Sequence, residues 1–332
     1  MPKTKKQKSS SAHKPHLSPP IAIALGSGMA RGFAHIGVMR ALARHGITPT
    51  IVSGTSIGAL VGGCYLAGKL DEFEEWALSL NRRKIFSYLD FRVRSAGLIG
   101  GSRLNSLMEE HFSDLLIEDL PHPYIAIASD LATGHEVWLR KGNFMDAMRA
   151  SFALPGVFPP VEINHRLLVD GALVNPVPVS ACLAMGSRMT IAVDLNADMI
   201  GKATKPGHSY QTVAGFDVFN EHDVPAEDQR KVRNTLTQRL FRRESSNPSL
   251  FGVMVSALNI MQDRLTRSRL AGDPPDVHIK PAIGHIGFLE FEKAEEMIEE
   301  GEKAVERAMP EINSAINILL PRAMREEMED RE

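Results

Sequence analysis

Cysteine, net charge and long apolar runs are all scarce in this chain of 332 residues, and each shortage removes a class of protein. The only cysteines, Cys64 and Cys182, lie far apart and outside any C-x-x-C spacing. The chain therefore reads as neither a disulfide scaffold nor a zinc site, and a reducing, cytoplasmic setting suits it. Lys and Arg total 38 against 40 Asp and Glu, for a net charge of -2. No global field is available to hold a phosphate backbone, so nucleic acid is not an expected partner. The longest apolar stretch, 57–67, is broken by Gly58, Gly62 and Gly63 and is too short to cross a hydrocarbon layer of about 30 Å. Any membrane contact is expected to be peripheral, at the inner surface.

What remains is an ordinary globular balance. Hydrophobic residues at 43% and charged residues at 23% exclude collagen-like, coiled-coil and low-complexity chains, and the length suffices for one large α/β domain or two small ones. Residues 1–20 carry five lysines, no acid and no apolar stretch, so they read as a disordered basic tail. Such a tail serves solubility or is drawn to anionic lipid, at about 1 kcal/mol per lysine.

From Ile21 short β-like runs alternate with helical ones, the pattern of a mainly parallel sheet covered by helices. The spacing predicts strands at 21–25, 50–53, 124–129, 136–139 and 166–169, with 189–194 as the last buried strand of this unit. Helices are predicted at 32–45, 57–67, 71–80, 102–112 and 143–152. An irregular loop, a candidate lid, is expected at 82–101. Residues 197–249 are polar and aperiodic and read as an insertion or linker. Over 250–270 Phe251, Met254, Val255, Leu258, Met261 and Leu265 recur at helical spacing, a stripe that packs on the core or lies on a membrane surface. A short strand at 276–280 and an acidic helix at 290–309, stopped by Pro310, complete a helical C-terminal extension, 250–332, packing on the domain at 21–196.

The strongest chemical signal is Gly54-Thr55-Ser56-Ile57-Gly58, a G-x-S-x-G between a predicted strand and a predicted helix. Glycines at both ends permit the tight turn that pushes a serine hydroxyl out of the sheet end, which makes Ser56 the candidate nucleophile. The first strand runs into Gly26-Ser27-Gly28-Met29-Ala30-Arg31-Gly32. A dinucleotide fingerprint wants glycine where Arg31 stands, and no acid ends the next strand, so NAD binding is not expected. The alternative is an oxyanion hole built from backbone N–H groups of the loop and of Ile57. Arg31 meets a phosphate or carboxylate, or else is a solvent-facing charge or a loop brace.

A serine needs a base. His35 reads as a packed or capping residue, and His208, His222, His278 and His285 follow no clear core strand. The better candidate is Asp170, delivered by Leu-Leu-Val to a Gly-Ala turn; a desolvated aspartate there accepts the serine proton directly, or else it serves as a turn cap. Two other readings stay open: a Ser/His/Asp esterase, and a protein that binds lipid or a partner without turnover.

Taken together, Gly26–Gly32, Gly54–Gly58, Asp170-Gly171-Ala172 and the stretch Ala150–Pro159 resemble the patatin-like phospholipases, in particular the bacterial branch similar to the neuropathy-target-esterase catalytic domain. The resemblance covers about 21–196. It implies a three-layer α/β hydrolase and a Ser56/Asp170 dyad without histidine. It also implies an oxyanion hole at Gly26, Ser27, Gly28, Met29 and Ile57, and a lipid or lysophospholipid substrate. No cofactor or metal is required, since the hole supplies the positive field. Ser27 and Met29 stand where many members have glycine, which narrows the approach to the loop, and Ala172 stands where they have a second glycine. Phe152, Leu154 and Phe158 form a candidate acyl wall, or pack in the core.

Overall fold

A computed structural model describes residues 21–81, 84, 112, 115–197 and 250–322. The tail 1–20, and nearly all of the expected loop at 82–101, helix at 102–112 and polar segment at 197–249, lie outside the described residues. Among the described residues eight strands form one mixed sheet: β1 (Ile21–Leu25), β2 (Ile51–Thr55), β3 (Tyr124–Asp130), β4 (Glu136–Leu139), β5 (Val161–Ile163), β6 (Arg166–Asp170), β7 (Met189–Val193) and β8 (Val277–Ile279). Their order is β5-β6-β3-β2-β1-β7-β8, with β4 also on β3. The pairs β1–β2, β1–β7, β2–β3 and β7–β8 are parallel, while β4 and β6 run antiparallel to β3.

The described helices of the sandwich are α1 (Ala34–Arg44), α2 (Ile57–Leu66), α3 (Leu70–Leu78), α4 (Phe144–Ser151), α5 (Val179–Ala184), α6 (Leu250–Gly272) and α7 (Ala294–Leu319). Strand periodicity sorts them into layers. Ile21, Ile23 and Leu25 of β1 point into the large core beneath α1, α2, α4 and α7, whereas Ala22 and Ala24 face Val177, Val179 and Cys182 at α5. Both faces of β1 are buried, which is why it reads as an unbroken apolar run rather than an alternating one. The result is the expected three-layer α/β fold.

Several boundaries differ from the sequence expectation. The first helix opens with a 3-10 turn, Met29–Phe33, before α1 begins. The short strand β5 was not foreseen. β7 is the last strand within 21–196, and the short strand expected at 276–280 appears as β8, which pairs with β7 in the same sheet. Pro310 does not stop the last helix: α7 runs through it to Leu319 and forfeits a single backbone hydrogen bond there. What carries α7 across is its buried stripe, Ala294, Met297, Ile298, Gly301, Ala304, Val305, Ile312 and Ala315, which extends on both sides of the proline, with α7 packed on α1. Both cysteines are buried free thiols. Among the described residues no helix is long and apolar enough to cross a membrane.

One register positions the site. Gly54 and Thr55 of β2 face Ala126 and Ile127 of β3, whose opposite edge is taken by β4. At the next residue, Ala128, the partner on the β2 edge becomes Asp170 of β6. Strands β2 and β6 therefore abut end to end along β3, their C-termini converging, and the residue after Thr55 is brought against Asp170.

Candidate active site

Ser56 follows β2 and caps α2 with φ 57° and ψ -125°, a strained conformation for a residue with a side chain. The flanking glycines are needed for approach. A Cβ on Gly54 would stand 2.4 Å from the Ala59 nitrogen, and one on Gly58 would stand 2.2 Å from the Leu25 carbonyl oxygen. The turn is held by Ser151 at the end of α4, whose Oγ accepts the Ser56 N–H at 2.9 Å and donates to the Ile127 carbonyl at 2.6 Å. Sequence reasoning passed over Ser151, although it lies inside a stretch already singled out.

The Ser56 hydroxyl donates to Asp170 Oδ2 at 2.8 Å, and the two side chains belong to residues only 5% and 2% exposed. The other oxygen, Oδ1, accepts the Ala172 N–H at 2.8 Å, so Asp170 caps its own turn and meets the serine at once. Its backbone is pinned as well: its N–H donates to the Ala153 carbonyl, and its carbonyl accepts the Ser129 hydroxyl. Desolvation raises the Asp170 pKa to about 7, with the bonds from Ala172 and Ser56 working in the opposite direction. A carboxyl so placed gains and loses a proton near neutrality and is already hydrogen-bonded to a hydroxyl.

The glycine loop divides its amides between scaffold and cavity. Gly26 N–H bonds to the Val193 carbonyl at 3.0 Å and Ser27 N–H to the Pro176 carbonyl at 2.9 Å, so these two expected oxyanion donors are corrected to scaffold bonds. Among the described residues no backbone acceptor engages the amides of Gly28, Met29 or Ile57. Gly28 and Met29 line the cavity beside Ser56 and Asp170, and Ile57 begins α2, where first-turn amides lack intrahelical partners.

Arg31 is likewise corrected. It is 2% exposed, its Nε donates to the Ile286 carbonyl at 2.7 Å with Nη2 on the same oxygen, and its guanidinium lies 4.1 Å from the Phe288 ring centre. Together with the bond from Ala30 N–H to the Phe288 carbonyl, it clamps the glycine loop to residues 286–288. A guanidinium held this way braces the loop, one of the roles the sequence left open for it. His35 is also scaffold: its Nε2 donates to the Gly26 carbonyl at 2.7 Å, and burial lowers its pKa to about 4, keeping it neutral. His278 lies beside Asp194 and His285 beside Glu296. Among the described residues no imidazole bonds to Ser56 or Asp170; His208 and His222 lie outside them.

Of the candidate acyl wall, Leu154 lines the cavity, and Phe158 packs in the small cluster of Leu154, Val157, Met29 and Leu258. Phe152 is corrected to a packing role, turned into the main core and edge-on to Phe158 at 5.5 Å. The rest of the lining was not foreseen: Phe288, and Leu258, Asn259 and Gln262 from α6. A polar pair three residues apart within a stripe read as apolar was the available signal. The space between these groups is about 20 Å³, room for one water-sized group.

Comparison with known proteins identifies the family. Residues 23–183 match the family described as patatin-like phospholipase. A Mycobacterium tuberculosis protein named as an uncharacterized NTE family protein is 34% identical over 330 residues, covering 88% of this chain and 92% of that protein. The chain belongs to the patatin-like phospholipase family. Patatin-like phospholipase domain-containing protein 7 of Rattus norvegicus is 33% identical over 184 residues, covering 53% of this chain and 14% of that protein. Among solved structures, VipD from Legionella pneumophila aligns with a TM-score of 0.36 at 12% identity, covering 94% of this chain and 80% of that one. At the level of the family, this patatin-like protein is a lipid acyl hydrolase.

Proposed function

We propose that the chain hydrolyses lipid acyl esters through a Ser56/Asp170 dyad. The observation that carries the reading is the 2.8 Å bond from a strained, buried serine hydroxyl to a carboxylate oxygen whose pKa is held near neutrality. Asp170 accepts the hydroxyl proton as Ser56 Oγ attacks the ester carbonyl. The oxygen of the tetrahedral adduct takes negative charge and is stabilised by the Gly28, Met29 and Ile57 amides, which have no backbone acceptor among the described residues. Collapse breaks the C–O bond to the alcohol, which leaves with the proton held by Asp170, and the acyl group stays on Ser56. Water then gives its proton to Asp170 and attacks the acyl-enzyme; Ser56 recovers its proton and the fatty acid departs. Phospholipid or lysophospholipid esters are the substrates to which the family points, with Leu154, Leu258 and Phe288 against the acyl chain.

Ser56→Ala and Asp170→Asn are each expected to lose at least about a thousandfold in turnover of a p-nitrophenyl ester while keeping the far-UV circular dichroism spectrum of the wild type. A fluorophosphonate should label the wild type and not Ser56→Ala. Turnover retained in either variant would discard the dyad.

A further inference from the structure

Helix α6 is turned inside out with respect to polarity. Its inner face closes the cavity with Leu258, Asn259 and Gln262, and Thr266 is buried one turn further on. Asn259 Nδ2 and Thr266 Oγ1 are buried there without hydrogen-bond partners. Its outer face, at spacings of seven and eight residues, shows Val253, Ile260 and Met261 at 48%, 64% and 58% exposure. The same face continues into Arg264 and Arg267, both exposed; Arg267 pairs with Asp263, whose side chain is mostly buried. This stretch leaves Asn259 and Thr266 buried and unpaired while Val253, Ile260 and Met261 face water, and the cavity it covers admits only a water-sized group.

We infer that the outer face of α6 docks on an anionic lipid surface, and that docking draws α6 away from the Ser56 cavity. Apolar side chains flanked by arginines suit the boundary between acyl chains and negatively charged head groups, and both arginines project on the side that would meet them. Moving α6 outward hydrates Asn259 and Thr266 and enlarges the space beside Ser56, so the contact that brings the enzyme to its ester also uncovers the nucleophile. The inference rests on the Ser56 reading for its purpose, but docking and opening are measurable without turnover.

The experiment uses the full chain carrying Ser56→Ala, with phosphatidylcholine vesicles with or without phosphatidylglycerol. The parent is expected to cosediment with the phosphatidylglycerol vesicles, and Ile260→Glu/Met261→Glu, on an exposed face, to lower that partition at least about tenfold. Arg264→Glu should weaken it further at low salt than at high salt. Asn259→Cys should react with a water-soluble maleimide at least about tenfold faster when those vesicles are present, while Cys64 and Cys182 stay buried. Unchanged partition of the double glutamate variant overturns the docking surface. If that variant instead dissociates a dimer with no change in vesicle binding, the face belongs to a second copy and the inference fails. Docking without faster labelling overturns the opening. Loss of ester turnover in wild type with both binding results intact would count against the hydrolase reading alone.

Discussion

Replacing Asp170 by asparagine removes a charge while keeping its shape, and the burial of this carboxyl dictates how the effect on stability varies with pH. Folding raises its pKa from 3.8 to about 7 by desolvation, which the bonds from the Ala172 amide and the Ser56 hydroxyl only partly offset. At about 1.4 kcal/mol for each tenfold change in proton affinity, that rise corresponds to about 4 kcal/mol. The folded state holds the proton more tightly than the unfolded chain. The stabilisation is therefore complete below about pH 4, declines as pH rises, and is gone above about pH 7. His35 acts in the opposite direction: burial lowers its pKa from 6.5 to about 4, so its contribution is present above the higher value and lost as pH falls through the lower. Both proteins contain His35, and it cancels in their difference. Asp170→Asn is thus expected to match the wild type near pH 4 and to become the more stable protein as pH rises, by up to about 4 kcal/mol at pH 8. Urea unfolding followed by circular dichroism across that range measures the difference directly. A difference that stays flat with pH would refute the claim that this carboxyl is desolvated. The same titration should appear in catalysis, with wild-type kcat/KM for a soluble ester falling below about pH 7 as the base becomes protonated.

Ser151→Ala leaves the Ser56 N–H and the Ile127 carbonyl without the hydroxyl that joins them, so urea unfolding should show a loss of about 1–3 kcal/mol, and kcat for a soluble ester should fall as the turn relaxes. Arg31→Lys gives up the two-pronged grip on the Ile286 carbonyl and loosens the glycine loop. Its kcat/KM should drop by the same factor for anionic and neutral esters; a drop confined to anionic esters would return Arg31 to the substrate.

Much of the site was legible because its parts are local. A serine on a strand-to-helix turn must have small neighbours where its backbone passes a helix and a carbonyl, and Gly54 and Gly58 announce that requirement whatever surrounds them. An aspartate entering Gly-Ala after Leu-Leu-Val announces a cap, and the cap is there. Less legible was the use made of each backbone donor. The loop from Gly26 to Met29 looks uniform on the page, but its first two amides serve Val193 and Pro176, partners remote in the chain. Arg31 gave no hint of its burial, because an arginine bound to a carbonyl and an aromatic ring looks in sequence like one that faces solvent. Helix α6 was misread for a related reason: apolar periodicity reports that one face differs from the other, and Met261, counted with the inner stripe, lies outside.

The amino-acid order by itself determined the strand-and-helix alternation, the elbow at Ser56 and the acid-bearing turn at Asp170, since each follows from side-chain size, periodicity and backbone torsion over a few residues. Only the tertiary structure decided that β2 and β6 abut along one edge of β3, that the amides of Gly28, Met29 and Ile57 find no backbone acceptor among the described residues, and that α6 lies over the cavity. Strand pairing and the competition for hydrogen-bond partners are settled between segments remote in the chain, and no local pattern encodes which of several equivalent groups will find one.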